Sequence, residues 1–173
     1  MRRLTAPTYH KNENQSYSYS HSHSRYSGSM ASLEWVRYVY ANLQMGGYSR
    51  GGARDAVIDI LGEQRCALSA AQIEDELRAD GRPIARASIY RTLDLLVERG
   101  LAERVVVGPG EARFEPLEPS GKHHHHLFCG QCGRLVPFDD PGLERAIGKL
   151  EDRLGVTVDS HDVLLRGACE QCR

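Results

Sequence analysis

Two short cysteine pairs frame the last third of the chain. Cys129-Gly130-Gln131-Cys132 and Cys169-Glu170-Gln171-Cys172 each carry two thiols on a two-residue spacer that turns the chain back, so each pair can grip one ion. Four thiolates fill a tetrahedral zinc site and leave no open position, which marks the ion as structural rather than catalytic. Four consecutive histidines, His123-His124-His125-His126, lead into the first pair through Leu127-Phe128-Cys129, a stretch that reads as extended. Alternate side chains of an extended segment point to opposite faces. His123 and His125 therefore serve one side, and His124 and His126 the other, as two ligand pairs for two separate metal sites. Neither pair suffices alone. The candidate partners are Glu144, His161, Glu103, Glu115 and Glu118. Imidazole and carboxylate together bind zinc, ferrous iron or manganese, and spacing does not choose among them. The fifth cysteine, Cys66, stands apart from these pairs, and a lone cysteine more often serves as a small buried hydrophobe.

These ligands need elements to position them. The stretch between the two cysteine knuckles is too long for a bare zinc ribbon and must hold folded structure. It predicts a strand at Leu135–Phe138 and then a helix capped by Asp140 with Pro141 at its first position. Leu143, Ala146, Ile147, Leu150 and Leu154 form the expected buried stripe of that helix. Gly155 stops it, and a strand over 161–166 follows.

The first half reads as helices and a hairpin. Leu33, Val36, Tyr40 and Leu43 form one helical stripe, closed by Gly46-Gly47. Ala53, Val57, Ile60 and Leu61 form a second, with Gly62 as its expected stop. Ser69 and Gln72 make a capping box for a third helix, Leu68 can staple onto Ile73, and Gly81 with Pro83 ends it. A fourth helix carries Ile89, Leu93, Leu96 and Val97 on one face and ends at Gly100. Strands over 101–107 and 112–115 then flank the turn Gly108-Pro109-Gly110. This is the order of a winged helix-turn-helix. Opposite its apolar stripe the fourth helix presents Arg86, Ser88, Tyr90 and Arg91, a set suited to base edges and phosphates in a major groove.

The overall balance limits how such a surface can work. Lys and Arg total 22 against 23 Asp and Glu in 173 residues, so bulk charge cannot hold nucleic acid and any such site is local. The winged-helix segment has no lysine and slightly more acids than arginines. Such a segment needs added help, from a dimer partner or a ligand. No stretch approaches the roughly 20 apolar residues of a membrane span, and no apolar signal region stands at the N-terminus. The expected compartment is the reducing cytoplasm, where cysteines serve as metal ligands rather than disulfides. Residues 1–30, with the Ser/Tyr/His repeat from Ser16 to Ser29, predict a disordered tail or an extension upstream of a start at Met30. His21 and His23 in it are weak metal ligands by pattern. The predicted organisation is this tail, a winged-helix domain over 31–116, a hinge over 117–122 and a metal-binding domain over 123–173.

Several strings occur in the order of one known family. Ser88-Ile89-Tyr90-Arg91-Thr92-Leu93, Phe114-Glu115, the run from His123 to Gly133, His161 and Cys169-x-x-Cys172 together resemble the ferric uptake regulator (Fur) family. The resemblance implies an α+β protein, an N-terminal winged helix-turn-helix followed by a small α/β dimerisation domain with a four-cysteine zinc site. It implies a homodimer that represses transcription from a palindromic DNA operator when its metal is present. It matches Cys129, Cys132, Cys169 and Cys172 to the structural zinc site, and His123, His125, Glu144 and His161 to a second site in the dimerisation domain. It matches His124 and His126 to the hinge sensor, with Glu103 and Glu115 as the partners from the winged-helix side and Glu118 and Cys66 as alternatives. Iron sensors of the family carry a histidine just before the third helix, where this chain has Cys66-Ala67-Leu68. Peroxide sensors carry an aspartate where Pro137 stands. Zinc sensors take an acidic ligand from the strand after the recognition helix, the place of Glu103, and often a cysteine before the histidine run, where only Glu115 and Glu118 stand. Zinc is favoured over iron as the regulatory ion on that comparison, with an iron-responsive regulator of iron uptake as the alternative.

Two other classes fit less well. A zinc enzyme needs an open coordination position and a base, as in H-E-x-x-H or H-x-E with P-C-x-x-C, and neither string is present. No catalytic residues or small-molecule substrate are therefore expected. A metal store or zinc-dependent interaction module has no use for a DNA-reading helix.

Overall fold

A computed structural model describes residues 30–64, 66–118 and 123–173. The expected tail, with His21 and His23, lies outside the described residues apart from Met30, and so does most of the expected hinge, 119–122.

The chain folds as α1 (Met30–Met45), α2 (Gly52–Glu63), α3 (Ala70–Ala79), α4 (Arg86–Glu98), β1 (Ala102–Gly108), β2 (Glu111–Pro116), β3 (His125–Cys129), β4 (Leu135–Phe138), α5 (Pro141–Leu154) and β5 (Leu164–Gly167). The mixed helix-and-sheet class expected from the sequence is the one observed. The first four helices enclose one core of Trp35, Val39, Val57, Ile58, Leu61, Ile73, Leu77, Ile89, Leu93 and Leu96, all but fully buried. Trp35 ties α1 to the far side of this core by donating from Nε1 to the Leu101 carbonyl at 2.9 Å. The α1 stripe differs from expectation at two places, because Trp35 and Val39 are buried while Leu33 and Tyr40 are only half-buried.

Local signals placed the helix ends well. Ser69 accepts from the Gln72 N–H and the Gln72 side chain accepts from the Ser69 N–H, which is the capping box in both halves. Gly100, at φ +64°, closes α4 with a Schellman pair: its N–H reaches the Val97 carbonyl and that of Leu101 reaches the Leu96 carbonyl. Gly62 differs from expectation. It lies inside α2 rather than ending it, and a Cβ there would overlap Val36 Cγ2. The glycine is present because α1 crosses α2 at that point.

β1 and β2 pair antiparallel as the wing. Leu68, ahead of α3, adds a short bridge to Phe114, so the ribbon is anchored to the helical core. One face of the wing, with Phe114, closes that core. The other face carries Glu103, Val105, Val107, Arg113 and Glu115 toward the second sheet. That sheet runs β4-β3-β5, antiparallel between β3 and β4 and parallel between β3 and β5. β5 begins at Leu164, so His161 precedes the strand instead of opening it.

Helix α5 has the expected start, with Asp140 Oδ1 accepting from the Gly142 and Leu143 N–H groups, and the expected stop at Gly155 in the left-handed region. Its apolar stripe is not buried, contrary to expectation. No α5 residue is buried, and Leu150 and Leu154 are 39% and 63% exposed. A helix whose apolar stripe is at most half-buried among the described residues has a surface that an external partner can cover.

Candidate metal centres and recognition surface

Three groups of ligand-type side chains converge among the described residues, each with its ligand atoms within 4.8 Å of one another. The first is Cys129, Cys132, Cys169 and Cys172. Cys129 ends β3, and the tight turn after it returns through Gly133, whose N–H reaches the Cys129 carbonyl at 2.9 Å. The second knuckle follows β5, which lies beside β3, so strand pairing brings the knuckles together. Cys132 and Cys169 Sγ are 3.7 Å apart. A zinc tetrahedron with Zn–S of about 2.3 Å has S···S edges close to that length. The N–H groups of Cys132, Cys169 and Gln131 pull the Cys129 thiol down to about 6, while hydrogen bonds with Cys169 and Cys132 push Cys172 up to about 12. The donors thus favour a thiolate at the centre, and a dication would let the remaining thiols ionise.

The second group is His123, His125, Glu144 and His161. His125 Nε2 lies 2.7 Å from Glu144 Oε1, His161 Nε2 3.2 Å from Glu144 Oε2, and His123 Nε2 3.1 Å from His161 Nε2. Glu144 is in the first turn of α5, so the Asp140 cap sets its position. Hydrogen bonding to His125, then to His161, holds its carboxyl below the ordinary range against the opposing effect of desolvation.

The third group joins the two halves of the chain. Glu115, near the end of the wing, is 4% exposed, and its Oε2 lies 3.1 Å from His126 Nε2 and 3.2 Å from His124 Nε2. Burial pushes the Glu115 carboxyl up, but His124 and His126 outweigh it and the net shift is downward. Contact with Glu115 in turn raises His124. Two nitrogens each near 3 Å from one carboxylate oxygen suit a first-row dication, and among the described residues His124 Nε2 makes no well-directed hydrogen bond that an ion would have to break.

The alternation read from the four histidines matches this division of faces. Glu103 and Glu118 do not join the third group. Glu103 stands opposite Glu115 in the wing register, but its carboxyl lies beside Asp162. Burial first, then Asp162 and Glu115, raise it. Asp162 was missed in the sequence; its only signal was its place beside His161. Cys66 also stays outside. Its thiol donates to the Leu135 carbonyl at 3.5 Å, and burial, helped by the Glu115 charge, pushes it up to about 11.

On α4, Arg86, Tyr90 and Arg91 are exposed and Ser88 is half-buried. Arg91 Nη2 donates to Ser88 Oγ at 3.0 Å. Arg86 is engaged by Glu74 of α3 at 2.6 Å, and Glu74 also pairs with Arg78. The helix therefore presents an aromatic ring and two guanidinium groups from its N-terminal half.

Comparison with known proteins agrees with this arrangement. Residues 47–166 match the family described as the ferric uptake regulator family. The ferric uptake regulation protein of Bordetella parapertussis is 34% identical over 106 residues, which are 61% of this chain and 75% of that protein. The solved ferric uptake regulator of Helicobacter pylori superposes with a TM-score of 0.71 at 21% identity, covering 82% of this chain and 93% of that one. The Vibrio cholerae ferric uptake regulator superposes with a TM-score of 0.68 at 26% identity, covering 76% and 99%.

Proposed function

The chain belongs to the ferric uptake regulator family of metal-responsive transcriptional regulators, which are not enzymes, and from that premise we propose a homodimeric repressor that binds a palindromic DNA operator when a divalent ion is held by Glu115, His124 and His126. The observation that carries this reading is the position of Glu115. It belongs to the wing, its two histidine partners belong to the segment after the hinge, and an ion shared by all three ties one body to the other. A ligand shifts a conformational equilibrium only by its differential affinity for the two states, and this ion gains its third ligand only in the closed one. Closure would set the two α4 helices of a dimer at the spacing of successive major grooves.

The four-cysteine group holds a structural zinc in this reading, and His123, His125, Glu144 and His161 hold a second ion that steadies the metal-binding domain. The working division is 31–116 for DNA, 117–122 for the hinge and 123–173 for metal and dimerisation. The open apolar stripe of α5 supports the last part, since Leu150 and Leu154 need cover. Arg86, Ser88, Tyr90 and Arg91 would read the operator.

Zinc is favoured as the regulatory ion, because the place where the iron sensors carry a histidine before α3 holds Cys66-Ala67-Leu68, and Cys66 stays outside the cluster. The second reading is ferrous iron, favoured by the names of the curated relatives, which are ferric uptake regulation proteins. A mobility shift with duplexes selected from a random-sequence pool, run against buffered zinc, ferrous iron and manganese, tests both. Binding only with metal, at the lowest free concentration for zinc, is expected. Equal binding in chelator would overturn the regulatory reading, and a response to iron alone would transfer it to the second ion.

A further inference from the structure

The wing face that carries Glu115 also carries Arg113, two residues earlier on the same side of β2. Its side chain is only 9% exposed. A buried guanidinium is costly unless its protons are satisfied. Arg113 Nη2 donates to the Gly133 carbonyl at 2.6 Å and lies 3.3 Å from the half-exposed Glu111, while the guanidinium sits 5.9 Å from the centre of the Phe128 ring. Nε has no partner. Gly133 closes the turn of the first cysteine knuckle in the left-handed conformation, at φ +70°. The main acceptor of this buried cation is thus a backbone carbonyl presented by the metal-binding half.

The contact is sealed by a small apolar cluster drawn from both halves. Ala67, Cys66, Val105 and Val107 come from the winged-helix side, and Leu135, Phe128 and Leu164 from the other. Arg166 adds a bond from its Nη2 to the Val107 carbonyl at 3.3 Å. If the halves part, Arg113 returns to water and the Gly133 carbonyl loses its donor. The contact therefore contributes to the closed arrangement and not to the open one.

We propose that Arg113 is a positioning residue for the metal switch: it pins the wing to the first zinc knuckle, so that the ion at Glu115 acts on a hinge already biased toward closure. Resting on the regulatory reading above, this assigns a second strut to the switch. Arg113 and Glu115 lie about 7 Å apart on one strand, so the knuckle contact and the sensor ion move the wing as a single lever. The apparent affinity of a ligand falls with the population of its competent state, and removing the strut makes the sensor ion supply the missing bias.

The experiment is operator binding by Arg113→Ala and Arg113→Lys in the full chain, titrated against whichever of zinc, ferrous iron or manganese activates the parent, with zinc content at the cysteine site and melting followed in parallel. The free-metal midpoint should rise about tenfold in Arg113→Ala and less in Arg113→Lys, which keeps the cation and one donor. At saturating metal both should regain the parent's DNA affinity, because the sensor ligands are intact. Arg113→Lys also answers the question if the alanine variant fails to fold. Unmoved midpoints in a folded variant, or a loss of DNA affinity that saturating metal does not restore, would overturn the strut. A parent that ignores all three metals would overturn the regulatory reading instead.

Discussion

In the proposed switch, Glu115 and His124 carry the chemistry at the scale of single residues. The Glu115 carboxyl is held below its ordinary range, so its share of the metal-free link is present above about pH 4.3 and is lost as pH falls through the lowered value. The His124 imidazole is held above its ordinary range, so its share is full below about pH 6.5 and is lost as pH rises through the raised value. The metal-free contact is strongest between these limits. A bound ion needs the neutral imidazole and competes with that proton. Affinity at this site should therefore fall from about pH 8 to pH 6, where His124 takes up its proton, as read by competition with a chromophoric chelator. A flat profile would show that His124 is not a ligand. Cys66 supports the same account from outside: its thiol is pushed up and bonded to Leu135, so Cys66→Ser should leave the metal response unchanged within a factor of about two, well under 1 kcal/mol.

Helix α4, the proposed recognition element, and the core beneath it answer to different tests at the scale of elements. Tyr90→Ala and Arg91→Ala should each weaken operator binding by about 1–3 kcal/mol without changing melting or metal content, since both side chains stand in solvent. Binding equal to the parent's in both variants would move the DNA surface off α4. Gly62→Ala should do the opposite, lowering stability by about 1–3 kcal/mol through the overlap with Val36 and leaving DNA contacts alone. The Ser69 capping box, the Gly100 stop and the histidine alternation were legible in the sequence because each depends on a few neighbouring residues. Gly62 was misread because its role depends on where α1 crosses, which no local pattern records. Arg113 went unread for a related reason: strand parity puts it beside Glu115, but its acceptor is a carbonyl twenty residues on. Of the carboxylates expected at the hinge, Glu115 meets His124 and His126, whereas Glu103, on the same face of the wing, lies beside Asp162.

At the scale of the whole molecule, the proposed switch is one contact between the wing and the metal-binding half. The exposed stripe of α5, with Val156 and Leu165 also in solvent, is more apolar surface than a single copy needs, and self-association would cover it. Leu150→Glu combined with Leu154→Glu should yield monomers in sedimentation equilibrium while zinc at the cysteine site is retained; an unchanged dimer would place the interface elsewhere. The most direct measurement of the central claim compares the parent with His126→Ala, recording operator affinity across buffered zinc, ferrous iron and manganese with zinc content and melting measured on the same samples. The parent should gain about a hundredfold in affinity with its metal, the shift that a differential stabilisation of about 3 kcal/mol produces. His126→Ala should stay folded and loaded at its cysteines yet bind operator equally with and without metal. A His126→Ala protein that keeps the parent's full metal response would contradict the account and move the switch to His123, His125, Glu144 and His161.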